Sequence, residues 1–159
     1  MPREPLKRVV VDWTGPFTPA QIAEEEQRDN GLYQVYGRHP VFGPGSLLYV
    51  GETKKQGFAA RLGQHQGWMN DGEHGKVEVY LGVVDSDDSE LLDGDLDATI
   101  EAVEAFVIWW HSPPYNSKYI SAHKGHPLWV QHRGSRGSLH AEQTTGWGKR
   151  EKPNDLADT

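Results

Sequence analysis

Six apolar residues in a row, AFVIWW from Ala105 to Trp110, end a stretch of helical character that Pro113 and Pro114 must stop. The run falls far short of the roughly 20 residues that span a bilayer. ATIEAVEAFVIWWH therefore reads as a helix made for a protein core. Inside its apolar part sits one carboxylate, Glu104. An ionised carboxylate taken out of water must find a partner or take up a proton, so Glu104 needs a partner or a task.

A chain of 159 residues suits one compact domain, with an appendage at most. Its N-terminus, MPREPLKRVVVDW, lacks the apolar core of a secretory signal. The absence of cysteine excludes disulfides, thiol nucleophiles and Cys-ligated zinc, and fits a reducing compartment. The expectation is a soluble, cytoplasmic protein without a membrane partner. Net charge is −7, which argues against phosphate as a partner, but its distribution is uneven. Asp71 to Glu104 holds twelve acidic residues and one basic, Lys76, whereas Ala105 to Lys152 holds seven basic and two acidic. One edge would repel phosphate and another attract it; two solvated faces explain the composition equally well.

RVVVDW is a β-branched run that predicts a strand. After it, Thr18 as N-cap, Pro19 at the first helical position and Gln21 two residues on predict a helix. Asn30-Gly31 marks a turn. GLYQVYG and SLLYVG follow as a hairpin joined by the turn-forming RHPVFGPG. GFAARLGQHQGW has a helical period, KVEVYLGVV returns to strand, and Asp97 can cap the helix that carries Glu104. The expected architecture is α/β: a small mixed or antiparallel three-stranded sheet flanked by helices, in the order β-β-α-β-α. Residues 1–30 would add an N-terminal strand and helix, residues 31–120 the core, and residues 121–159 an irregular, basic, glycine-rich extension with a disordered end.

Three constellations bear chemistry. Asp93, Asp95, Asp97, Ile100 and Glu104 fall at positions 1, 3, 5, 8 and 12 of a calcium loop, but Ala98 stands where the sharp turn demands glycine. A helix N-terminus that gathers acids for its dipole explains the same letters. His123, His126 and His132 have the spacing of a zinc triad, in a segment that reads as solvated surface. The third set is richer. Tyr33 and Tyr49 can face each other across paired strands, Arg61 and His65 share one helix face, and Glu104 comes from the later helix. Phenols, a guanidinium, an imidazole and a carboxylate converging on one face suit phosphodiester hydrolysis.

In order, Gly31-Leu32-Tyr33, Tyr49-Val50-Gly51, Arg61 with His65, Glu104, and Pro113-Pro114-Tyr115-Asn116 resemble the GIY-YIG nuclease superfamily. Leu32 and Val50 stand where isoleucine is usual, and Glu52 follows the second motif. The resemblance covers residues 31–116 and implies a metal-dependent DNA endonuclease. It makes Glu104 the ligand of a single Mg²⁺ or Mn²⁺. Tyr33, helped by Tyr49, would be the base or position the water, Arg61 would stabilise charge on phosphorus, and His65 would move a proton or hold a phosphate. Gly51 and Asn116 would be structural, with Asn116 tying the chain after the helix back to the sheet. Two alternatives stand beside this one: a nucleic-acid-binding module with little turnover, and a calcium-binding regulatory domain.

Lys54, Lys55, Arg133 and Arg136 are candidate DNA contacts. Lys118, Lys124, Lys149 and Arg150 add cations after the helix, and Trp129 and Trp147 add flat surfaces for unpaired bases, which leans the reading toward single-stranded or locally unpaired DNA. The segment after Asn116 would wrap beside the core, so that removing it from Lys124 onward leaves the core folded.

Overall fold

The computed structural model describes residues 5–24, 31–53, 75–123 and 125–145. The elements run β1 (Lys7–Phe17), α1 (Pro19–Glu24), β2 (Gly31–His39), β3 (Gly43–Thr53), β4 (Glu78–Val84), a 3₁₀ turn (Leu92–Gly94), α2 (Leu96–His111), β5 (Leu128–Gly134) and β6 (Glu142–Thr144). The six strands form one mixed sheet in the order β3-β2-β4-β1-β5-β6. All neighbours are antiparallel except β1 and β5, which run parallel from Lys7 beside Leu128 to Trp13 beside Gly134.

This sheet overturns the expected three-stranded core flanked by helices. Among the described residues the fold is mostly sheet, curled into a half-barrel, with one substantial helix. The N-terminal strand is no extension, because it lies between β4 and β5. Val9, Val10 and Val11 are each fully buried, which requires cover on both faces and a neighbour on both sides. The segment after residue 121 is not irregular either: it supplies β5 and β6. Register shifts in β1 between Thr14 and Phe17, and between β2 and β3 after Val35 and after Gly37, give the sheet its bend.

α2 covers one face. Ile100, Val103, Phe106 and Val107 pack on Val9, Val11, Leu32, Val50, Val84, Leu128 and Val130, each large side chain contributing about 1.5–3 kcal/mol by burial. Its cap is Asp95 rather than Asp97: the Asp95 carboxylate accepts from the backbone N–H groups of Asp97 and Ala98. Ser112, left-handed at φ 47°, ends the helix just before the two prolines. On the opposite face Ile22 of α1 packs with Tyr33, Val35, Val79 and Leu81. α1 opens with the reciprocal cap its sequence promises: Thr18 N–H donates to the Gln21 side chain, and Gln21 N–H to the Thr18 hydroxyl. Among the described residues no helix is long and apolar enough to cross a membrane.

Candidate active site at the edge of the sheet

β2 and β3 pair so that Tyr33 stands opposite Gly51 and Val35 opposite Tyr49. The two phenol rings stack diagonally across the strands, with centroids 5.9 Å apart and planes inclined by 29°. Tyr33 is fully buried and lies across β3 over Gly51, where any Cβ would run into its ring and hydroxyl. Glycine is needed here for space, so the ring can reach the outermost strand. Tyr36, three residues on in the same strand, belongs to the other face. Its hydroxyl bonds Gln34 and Ser138, and burial first of all raises its pKa.

As the edge of the sheet, β3 has peptide groups that β2 does not pair. The chain leaving α2 takes them up. Val50 N–H donates to Asn116 Oδ1 at 3.0 Å, Asn116 Nδ2 donates to the Val50 carbonyl at 2.9 Å, and Tyr115 N–H donates to the Leu48 carbonyl at 2.9 Å. The Asn116 amide thus imitates a strand peptide, one residue from Gly51.

Glu104 is half-buried on α2. It does not share a face with the tyrosines: α2 packs on the side of Leu32 and Val50, while Tyr33 and Tyr49 belong to the other cluster. The helix and the Tyr33 ring approach β3 from its two sides, so the expected convergence on one face is replaced by an arrangement around the sheet edge. Lys118 lies close by. Its pKa is raised, chiefly by its hydrogen bond to the Tyr119 hydroxyl and then by Glu104 and Glu101. The calcium loop is ruled out by helix geometry. Glu104 stands eight residues inside α2, about 12 Å along the axis from Leu96, and Asp95 is spent on the cap.

Arg61, His65, Lys54 and Lys55 lie outside the described residues. Arg133 is gripped by Asp12, Asp85 and Asp88 at 2.8, 2.9 and 3.2 Å, which raises its pKa, Asp12 acting first. One cation among three carboxylates has little to offer a phosphate. Arg136 is exposed, and its Nε donates to the Leu139 carbonyl. Trp129 is only 8% exposed, under the guanidinium of Arg8, and so cannot serve as the stacking surface its sequence context suggests. Trp147, Lys124, Lys149 and Arg150 lie outside the described residues.

His132 is no zinc ligand, because both its nitrogens are committed. Trp13 Nε1–H donates to His132 Nδ1 at 3.0 Å, and His132 Nε2 meets Gln143 Oε1 at 2.8 Å. Gln143 Nε2 continues to His111 Nε2 at 2.9 Å. Burial pushes both imidazoles down to about 4, so both are neutral at pH 7; for His111 the neighbouring His140 and His132 add to the effect. Sequence reasoning missed this chain of side chains and also the exposed Phe42. The signal for Phe42 was present: Val41-Phe42 is an apolar pair inside a turn-rich loop, where no core can receive it.

Compared with models of known families, with curated proteins and with solved structures, the chain matches none.

Proposed function

We propose that the chain is a divalent-metal-dependent DNA endonuclease of the GIY-YIG kind, with its site at the β3 edge. The observation that carries this reading is the placement of Tyr33, Tyr49, Gly51 and Asn116. Residues up to 83 positions apart meet at one strand pair, with the two phenols stacked on each other, the Tyr33 ring over Gly51, and the Asn116 amide on Val50 beside it. In this reading Tyr33 orients the attacking water and takes its proton, and Tyr49 holds the Tyr33 ring in place. The family pattern would give Arg61 the task of stabilising the charge that builds on phosphorus as the bond to the leaving oxygen breaks, and His65 that of returning a proton to that oxygen or holding a phosphate.

Glu104 fits the metal by its chemistry. A half-buried carboxylate is a hard donor, and Mg²⁺ or Mn²⁺ is commonly held by one or two carboxylates while keeping most of its water. When bound, the ion would supply positive charge at the phosphate. Incubation with single-stranded, duplex and branched DNA, each with Mg²⁺, Mn²⁺ or EDTA, should give products in the metal lanes alone. No product on any substrate with either metal would sink the reading. A second reading, a DNA-binding module with little turnover, is favoured by the complete burial of Tyr33. Retained DNA without cleavage would select it.

A further inference from the structure

Where the β2–β3 hairpin meets the end of α2, a cleft of about 380 Å³ is lined by Phe42, Ser46, Leu47, His111, Ser112 and Ser138, among others. Its described lining holds no charged side chain. Phe42 is 64% exposed yet held in place: its ring stacks on His39 at 4.7 Å, and His39 Nδ1 accepts from the N–H groups of Val41 and Phe42. An exposed aromatic fixed from behind presents its other face as a platform.

Three polar side chains of the cleft, His111, Ser46 and Ser138, have assigned hydrogen-bond roles. An indole can only donate, so His132 Nδ1 accepts from Trp13, and the proton of the ring sits on Nε2. Nε2–H then donates to Gln143 Oε1, and Gln143 Nε2–H donates to His111 Nε2. His111 is left with its proton on Nδ1, a donor. Ser46 spends its hydrogen on the Gly43 carbonyl. The Tyr36 hydroxyl spends its own on Gln34, so Ser138 Oγ must donate to Tyr36. Ser46 and Ser138 therefore offer the cleft lone pairs.

We infer that this cleft binds a neutral nucleobase bearing an amino group, stacked on Phe42, with a ring nitrogen or carbonyl accepting from His111 and the amino group donating to Ser46 or Ser138. An anion would meet two acceptors and no cation, whereas cytosine, adenine and guanine carry an exocyclic amino group with two hydrogens for the serine oxygens beside a ring acceptor for His111, where thymine has a single N3–H donor. The site stands apart from the tyrosines: a chain that cuts nothing would bind a base here all the same.

Titrating the full chain with cytidine, adenosine, thymidine and inorganic phosphate, with long-range proton–nitrogen spectra of the histidines as readout, tests the inference. His111 is expected to show the Nδ1–H tautomer and to shift saturably with cytidine and adenosine, less with thymidine, and not with phosphate. Phe42→Ala should weaken cytidine about tenfold, the scale of one lost base–aromatic stack, without changing the melting temperature of the free protein. A cytosine-containing single strand that binds tighter than cytidine would identify a base within a strand; equal binding would identify a free nucleoside. An Nε2–H tautomer at His111, an equal shift with phosphate, no saturable nucleoside, or Phe42→Ala that binds like the wild type would each overturn it.

Discussion

The Tyr33 ring rests on the Cα of Gly51, and no other residue type leaves room for it there. Gly51→Ala must therefore push the ring aside or part the strands. The expected cost is about 1–3 kcal/mol in urea unfolding, with a loss of cleavage larger than that destabilisation explains. A variant as stable and as active as the wild type would mean that the ring is not held there in solution.

Tyr33→Phe and Tyr36→Phe should separate chemistry from architecture. By the two-residue period of a strand the sequence places Tyr33 and Tyr36 on opposite faces, so Tyr36→Phe should leave the chemical step nearly untouched. The structure gives the Tyr36 hydroxyl three hydrogen bonds, one to the buried Gln34 and two to Ser138, so the variant should lose about 1–3 kcal/mol of stability while keeping its single-turnover rate. Tyr33→Phe should cost at least about a hundredfold in that rate. Equal rate losses in both would place the chemistry elsewhere.

Asn116→Ala removes both bonds to Val50 and should cost about 1–2 kcal/mol, with faster hydrogen exchange at the Val50 amide. Asn116→Asp should do little better, because it sets an acceptor against the Val50 carbonyl. Unchanged exchange in both variants would show the edge to be guarded by something else.

Glu104→Gln should abolish cleavage and the Mn²⁺ binding seen by electron paramagnetic resonance, with the fold intact. Glu101, one turn earlier and bonded by the Tyr119 hydroxyl at 3.5 Å, is the control. Loss of Mn²⁺ binding in Glu101→Gln alone would reassign the ligand.

Acid should loosen the Trp13–His132–Gln143–His111 chain. The folded imidazoles titrate near 4 and unfolded ones near 6.5, so the unfolded state binds more protons between those values. Their contribution is complete above pH 6.5 and declines as pH falls toward 4, by roughly 3 kcal/mol for the more buried His132. Urea midpoints across that window should fall less steeply in His132→Phe; parallel curves would show that His132 is not held neutral by the fold.

Local structure was legible where its causes are local. The cap of α1 is written in Thr18 and Gln21, the stop of α2 in Pro113 and Pro114, and the opposite faces of Tyr33 and Tyr36 in the two-residue period of a strand. The tyrosine pair could be read because hairpin neighbours are close in sequence. Sheet order could not, since β1 chooses β5 across 121 residues and no short window carries that choice. A clue lay unread in Val9-Val10-Val11, because three apolar residues without alternation call for a strand covered on both faces. β5 was hidden by His132 and Arg133, polar letters that make sense only once Trp13 and Gln143, or Asp12 and Asp85, stand beside them.

The parallel pairing of β1 with β5 also sets a timetable. As the chain leaves a ribosome, β1 emerges well before β5, so one side of β1 waits without its neighbour while everything from β2 to α2 is made. The hairpin of β2 and β3 can close early. The central strand cannot be completed until residue 134 has emerged, and a chain cut at Lys124 would keep that wait indefinitely, with the indole of Trp13 lacking its acceptor.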